Sequence, residues 1–257
     1  MEPTADTLRG RVALVTGAAH RLGAAIATQL AAQGCNLVVH YGASESAAND
    51  TAQRLRVAHQ IEVWPMQADL ALPDAIARLF SQVEQHCGRL DILVNSAASF
   101  DSGPLADFDA QRWDQVMAVN LRAPHLCMRH AQPLLAASES DPSVINIGDL
   151  SGATPWRDFG AHGVSKAGLM HLTRCAALEF APVVRVNAVV PGAILPARGV
   201  STESEEWQRI GDRLPLGRAG DPRDVGQAVA FLAAAPFVTG EVLFVDGGEH
   251  LYGSTKR

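Results

Sequence analysis

Short β-branched runs alternate with longer alanine- and leucine-rich stretches along this chain, and that alternation restricts its fold more than any other feature. Runs that are apolar throughout bury both faces, as strands of a parallel sheet do, whereas apolar residues recurring every three or four positions give a helix one buried stripe. Strands are predicted over residues 12–16, 36–41, 62–66, 92–95, 144–147, 184–189 and 242–245, and helices over 22–33, 44–58, 73–87, 109–136, 163–180 and 222–234. Right-handed crossovers between such strands build one doubly wound α/β sheet of about seven parallel strands with helices on both faces. Residues 1–10 read as an exposed lead-in, 11–250 as a single domain and 251–257 as a mobile tail. Residues 192–206, rich in Ser, Pro and Gly, are the longest irregular stretch late in the chain, with the composition of either a lid or a plain surface loop.

With 257 residues, 47% of them hydrophobic, the chain can bury a core without disulfide or metal support. A net charge of −6 removes nucleic acid and acidic membranes as default partners. Residues 22–44 are the longest stretch without a charged side chain, but Gln29, Gln33, Gly34 and Asn36 interrupt it, so no membrane span is expected. The lead-in lacks the apolar core of a secretory signal. Cys35, Cys87, Cys127 and Cys175 are too far apart for a zinc or thiol-redox motif and read as free thiols of a reducing cytoplasm. No metal site is expected.

Directly after the first predicted strand comes Thr16-Gly17-Ala18-Ala19-His20-Arg21-Leu22-Gly23, which opens a helix. A strand, a tight turn and a helix N-terminus present backbone N–H groups and a positive dipole end to a pyrophosphate. Gly17 permits the turn and Gly23 lets the helix approach closely. At the end of the second strand an Asp or Glu would bind the ribose 2′-hydroxyl of NAD, but the residues there are His40-Tyr41-Gly42-Ala43-Ser44. His20, Arg21, His40 and Ser44 instead offer donors to a 2′-phosphate, so NADP(H) is the expected cofactor.

Over nearly its whole length the chain resembles the short-chain dehydrogenase/reductase family, which has a Rossmann-type fold. The resemblance rests on residues 16–23, Ala68-Asp69-Leu70, Leu93-Val94-Asn95-Ser96-Ala97, Val119-Asn120, Ser165-Lys166-Ala167, Arg185-Val186-Asn187, Pro191-Gly192, Thr239-Gly240 and Val245-Asp246-Gly247-Gly248. It implies that Asp69 and Leu70 lie at the adenine and that Asn95, Ser96 and Ala97 line the cofactor beside the central strand. It implies further that Asn120 orders a proton-relay water, that Lys166 holds the ribose, and that Pro191, Gly192 and Ile194 flank the nicotinamide. A homotetramer is implied as well. Within the family, Arg21, the His40-Tyr41 pair, Ala97-Ala98-Ser99-Phe100 and Asp149 are similar to the pteridine reductases. That narrower likeness implies a small, flat substrate stacked on Phe100, with Arg21, Asp149, Phe159 and His162 around it.

The family's catalytic Tyr-x-x-x-Lys reads His162-Gly163-Val164-Ser165-Lys166 here. Histidine suits proton transfer at neutral pH, but its ring nitrogen sits closer to the backbone than a phenol oxygen. Either His162 or Asp149 could then deliver the proton. The expected activity is NADPH-dependent reduction of a pterin or similar heterocycle. A reductase of ketones or 3-oxoacyl substrates, and an NADP(H)-binding protein that has lost turnover, are the alternatives. Tyr252-Gly253-Ser254-Thr255-Lys256 is the only literal Tyr-x-x-x-Lys, and it lies beyond the last strand.

Overall fold

A computed structural model describes residues 8–197 and 199–256, with the side chains of 253–256 outside the description. Seven parallel strands form one sheet in the order β3-β2-β1-β4-β5-β6-β7. They are β1 (Val12–Val15), β2 (Asn36–Tyr41), β3 (Val63–Gln67), β4 (Ile92–Asn95), β5 (Ser143–Ile147), β6 (Arg185–Pro191) and β7 (Val242–Val245). Strand order reverses between β1 and β4, which pair in register from Ala13 with Ile92 to Val15 with Val94. A crevice therefore opens beyond their carboxyl ends, because the crossovers on the two sides leave in opposite directions.

Alternate side chains of β1 supply both layers of the core. Ala13 and Val15 pack with Ile26, Leu30, Val225 and Val229 on one face, and Val12 and Leu14 with Ile76, Leu79, Met128 and Val186 on the other. The helices are α1 (Arg21–Ala32), α2 (Glu45–His59), α3 (Pro73–Cys87), α4 (Ala110–Met117), α5 (Ala123–Ala136), α6 (Gly160–Phe180), α7 (Glu205–Asp212) and α8 (Pro222–Ala234). Local signals set their ends. α3 starts with Pro73 and stops at Gly88, whose φ of +66° suits a residue without a Cβ. α8 is closed by reciprocal bonds, Asp224 Oδ2 accepting from the Asp221 amide (2.9 Å) and Asp221 Oδ1 from the Arg223 amide (2.8 Å).

Four departures from the sequence reading stand out. The helix predicted over 109–136 is broken by a π-helical turn, Ala118–Arg122, which widens the backbone around Asn120. α6 begins at Gly160, so His162 and Lys166 lie on successive turns of one helix. At the end of the stretch read as irregular begins α7, whose N-cap Ser204 accepts from the Trp207 amide and whose first turn carries Glu205 and Glu206. Of the tail expected to be mobile, 251–256 belong to a 3₁₀ helix, Glu249–Lys256, that carries Tyr252, and residue 257 lies outside the described residues. Among the described residues, no helix is long and apolar enough to cross a membrane, and no group of three or more His, Cys, Asp or Glu could hold a metal.

Candidate active site

The turn after β1 is built as the glycine spacing requires. Gly17 has φ +68°, and a Cβ there would stand 3.0 Å from Ala97 Cα. A Cβ on Gly23 would lie only 2.2 Å from the Gly17 carbonyl oxygen. The two glycines thus let α1 begin directly against the turn, with first-turn amides that have no carbonyl behind them in the helix. Thr16 ties this turn to β4, since its Oγ1 accepts from the amides of Ser96 (2.9 Å) and Ala97 (3.0 Å). Its place in the motif was legible, but its anchoring role was not. Leu22 is half-buried beside the turn, and His20 is exposed at its rim.

His40 departs from expectation. It is buried at the carboxyl end of β2, with Nδ1 accepting from the Gly17 amide (3.0 Å) and Nε2 donating to the Ala68 carbonyl (3.1 Å). Both ring nitrogens are spent within the protein, so His40 braces the turn and does not offer a donor to a phosphate. Burial pushes its pKa down to about 4, against the Ala68 carbonyl, which favours the proton. Tyr41 and Ser44 are partly exposed at the end of β2, where the acid that would repel a 2′-phosphate is lacking. Asp69 is exposed after β3, its Oδ1 accepting from the Ala71 amide (2.9 Å), while Leu70 is buried.

Arg21 sits in the left-handed region at φ +53°, a strained choice for a residue with a Cβ. Its guanidinium crosses the crevice and donates to the Pro196 carbonyl at 2.7 Å. It therefore faces the segment after β6 and not the end of β2, which overturns its expected place at the 2′-phosphate. That segment is held from both sides. The Gly192 amide donates to Val245 O (3.1 Å), the Ala193 amide to Glu249 Oε2 (3.3 Å), and Gly220 to Ala193 O (2.9 Å). Pro191 is partly exposed, while Ile194 turns its side chain into the core and leaves only main chain to the crevice.

At the ends of β4 and β5 a polar group gathers that the sequence could not have assembled. Asn95 donates to Asn146 Oδ1 (2.8 Å), and Asn146 donates to Thr173 Oγ1 (3.0 Å), so Asn95 supports the sheet from within. Asn120 accepts from the Ser99 amide (2.7 Å), and its Nδ2 lies within hydrogen-bond distance of Ser99 O (2.9 Å), Ser165 Oγ (3.1 Å) and His162 Nδ1 (3.2 Å). Its side-chain amide is thus filled by protein groups, and it fixes the Ser99 main chain. Lys166 is buried, with Nζ donating to Ile147 O at 2.7 Å.

His162 is only 1% exposed, and its Nε2 lies 3.7 Å from Asp149 Oδ2, an ion-pair distance beyond hydrogen-bond contact. Asp149, with 22% of its side chain exposed, is the accessible member of the pair. Its Oδ1 accepts from the Ser151 amide (2.8 Å). Burial alone would push the Asp149 carboxyl up, but His162 and the Ser151 amide outweigh it and hold it below the usual carboxylate range. Close packing sets this separation. A Cβ on Gly152 would meet Ala167 N at 2.7 Å, and one on Gly163 would meet Ser151 O at 2.8 Å.

Aromatic rings close one side. Phe100, 59% exposed, meets His162 edge-on at 4.6 Å between centroids and Phe159 at 5.0 Å. Trp156, which the sequence reading missed, stands edge-on to Phe159 at 5.9 Å. Phe100 therefore keeps a free face outward while covering the imidazole behind it.

Comparison with known proteins agrees with this architecture. Residues 17–250 match the family described as enoyl-(acyl carrier protein) reductase. The chain is 36% identical over 242 residues to cis-4-hydroxycyclohexanecarboxylate dehydrogenase of Sinomonas cyclohexanicum, covering 93% of this chain and 96% of that protein. It is 33% identical to the 3-oxoacyl-[acyl-carrier-protein] reductase FabG of Staphylococcus aureus, covering 93% and 98% respectively. Among solved structures, FolM alternative dihydrofolate reductase 1 from Brucella canis, complexed with NADP, superimposes with a TM-score of 0.87 at 30% identity, covering 98% of each chain. The chain belongs to the short-chain dehydrogenase/reductase family of oxidoreductases.

Proposed function

We propose that this protein is an NADPH-dependent reductase of a pterin or a similarly flat heterocycle. One observation carries the substrate class: Phe100, 59% exposed, packs on the imidazole that faces the accessible Asp149 carboxylate, and Arg21 reaches over to Pro196 in the segment after β6. A planar, polar ring needs an apolar face and charged edges, and these three residues offer both. The likeness to a dihydrofolate reductase structure supports the same reading.

The residues present fit the cofactor. The crevice beyond β1 and β4 is lined at its turn by Gly17 and Gly23, where a Cβ would fill the space. The first turn of α1 would hold the pyrophosphate, Tyr41 and Ser44 the phosphorylated ribose, Asp69 and Leu70 the adenine edge. Ser96, Ala97, Lys166 and the main chain of Pro191, Gly192 and Ile194 would hold the nicotinamide half. When bound, NADPH supplies a hydride to a carbon of the substrate. Asp149 then directs a proton to the neighbouring nitrogen, and Lys166 keeps positive charge beside the ribose. The homotetramer implied by family resemblance and the cytoplasmic setting read from the four free cysteines belong to the same proposal, and sedimentation tests the first.

The curated relatives act on other substrates by name, a hydroxycyclohexanecarboxylate and a 3-oxoacyl thioester. Against a ketone stands His162 in place of the phenol, because a carbonyl oxygen needs a proton donor reaching further into the crevice than a buried imidazole does. Loss of NADPH absorbance with dihydropterin, dihydrofolate, a ketone panel and a 3-oxoacyl thioester separates the readings. Turnover of the pterins, with KM raised about fivefold in Phe100→Ala, is the expected result, as loss of a stacking face removes roughly 1 kcal/mol. Turnover confined to ketones or thioesters overturns the substrate class, and cofactor binding without any turnover overturns the enzyme.

A further inference from the structure

We infer that His162 and Asp149 share a single proton and work as a two-membered relay, with the imidazole aimed by the Ser99 carbonyl. This rests on the proposed reading for its substrate, but the proton count comes from the protein alone. Asn120 cannot be turned around, because its Oδ1 accepts from the Ser99 amide at 2.7 Å. Its two Nδ2 protons serve the two nearer acceptors, Ser99 O at 2.9 Å and Ser165 Oγ at 3.1 Å. Ser165 Oγ must accept there, since its own proton goes to His162 O at 2.6 Å. That leaves His162 Nδ1 facing the Ser99 carbonyl oxygen at 3.1 Å, and an atom facing a carbonyl must carry the hydrogen.

With Nδ1 protonated, Nε2 of a neutral imidazole is a bare lone pair. It is buried, has no hydrogen-bond partner, and faces Asp149 Oδ2 at 3.7 Å. Two lone pairs opposed in a buried place are unfavourable, and one proton between them removes the conflict. The charged groups facing the ring are Asp149, from the end of β5, and Lys166, one turn further along α6. Phe100, Asn120 and Ser165 are uncharged.

The step balances without any further reagent. As the π pair of a substrate C=N bond moves onto nitrogen, Asp149 Oδ2 takes the one shared proton from Nε2 of His162 and passes it to that nitrogen. The substrate gains this proton and the hydride supplied to its carbon. Asp149 ends as carboxylate and His162 as neutral imidazole still protonated at Nδ1. Water restores the shared proton after product leaves. Rotation of the partly exposed Asp149 closes the gap, as catalytic hydrogen bonds commonly tighten on substrate binding. His162 is thus the proton store behind the group that touches substrate.

Nitrogen-15 histidine spectra of the cofactor-free protein test the pair directly. The His162 signals are those lost in His162→Gln or, if that variant does not fold, those with cross-peaks to the Phe100 ring. Nδ1 is expected to be protonated near neutral pH, with the Nε2 signal shifting in Asp149→Asn. An unprotonated Nδ1, or an Nε2 signal indifferent to Asp149→Asn, overturns the relay. In turnover, Asp149→Asn should lower kcat by about 10² to 10³, and His162→Gln should lower kcat while leaving KM within about threefold and removing one limb of the pH profile. An unchanged pH profile in His162→Gln also overturns it. An enzyme that reduces only ketones would sink the substrate assignment and leave the spectra unaffected.

Discussion

Gly17 and His40 are joined by a 3.0 Å hydrogen bond in which the glycine amide donates to Nδ1, and the opposite ring nitrogen donates to Ala68. One imidazole therefore fastens the ends of β1, β2 and β3 together beneath the nucleotide crevice. Its tautomer is dictated by an amide on one side and a carbonyl on the other.

That brace should make the protein sensitive to acid. His40 is held near 4 when folded and returns to about 6.5 when unfolded. Above pH 6.5 both states are neutral at this position and nothing is lost. As pH falls from 6.5 toward 4 the unfolded chain binds the proton first, so stability drops by roughly 3 kcal/mol over that window. Urea unfolding at pH 7 and pH 4.5 should show this loss in the wild type and a smaller one in His40→Gln; equal losses would refute it.

Gly23→Ala should destroy cofactor binding while leaving the sheet formed. Its Cβ would fall 2.2 Å from the Gly17 carbonyl, a main-chain atom that can only move by opening the turn. NADPH affinity, followed by nucleotide fluorescence, should weaken at least tenfold, with far-ultraviolet circular dichroism unchanged. Wild-type affinity in this variant would show that the turn is not the pyrophosphate site.

Arg21→Gly separates stability from recognition. Glycine accepts φ +53° without the penalty of about 1 kcal/mol or more that a side chain carries there, so thermal stability should hold or rise slightly. The variant loses the 2.7 Å tie to Pro196 and the charge facing the substrate space. KM for a dihydropterin should increase about tenfold, a difference of roughly 1.4 kcal/mol, with NADPH affinity nearly unchanged. A fall in NADPH affinity without a change in KM would instead place Arg21 on the cofactor.

Lys166 gives pH effects of opposite sign on binding and on stability. Burial pushes its amine down to about 8, against the Asp149 charge, which favours the proton. Above pH 8 the folded protein loses this charge, so NADPH should bind about tenfold more weakly at pH 9 than at pH 7, and Lys166→Met should lack that dependence. Between pH 8 and 10.5 the unfolded chain retains the proton longer, so this residue's burial penalty is relieved and its contribution to stability grows. Titrating affinity and urea midpoint on the same samples checks both signs.

Much of the fold could be read from residue pattern alone, since apolar runs bury strands and Pro73, Gly88 and Asp221 mark helix ends. β2, β4, β7, α3 and α8 fall where periodicity places them. The π-turn at Asn120 escaped because periodicity continues through it, the local widening being set by bonds to Ser99 and Ser165 from distant elements. α7 escaped because it is only eight residues long and Trp207 and Ile210 are its only large apolar side chains, although Ser204 followed by Glu205 and Glu206 is a legible helix start. At the site, Gly17 and Gly23 were recognisable from spacing and position, and Lys166 only through the family resemblance. His40 was misread because a histidine at a strand end looks like a donor until its two partners, 23 and 28 positions away, are known. Which of Asp149 and His162 faces the crevice was equally hidden, being a matter of burial and not of residue type.

Gly152 and Gly163 contribute no functional group, yet the seam between them is the spacer that positions an acid against an imidazole. Any larger side chain in either place would wedge the two backbones apart and widen the interval over which a proton has to jump. Selection on the chemistry should thus be felt most sharply at two positions with no side chain at all, and a designer retuning this centre would adjust the thickness of that seam before altering the reacting groups.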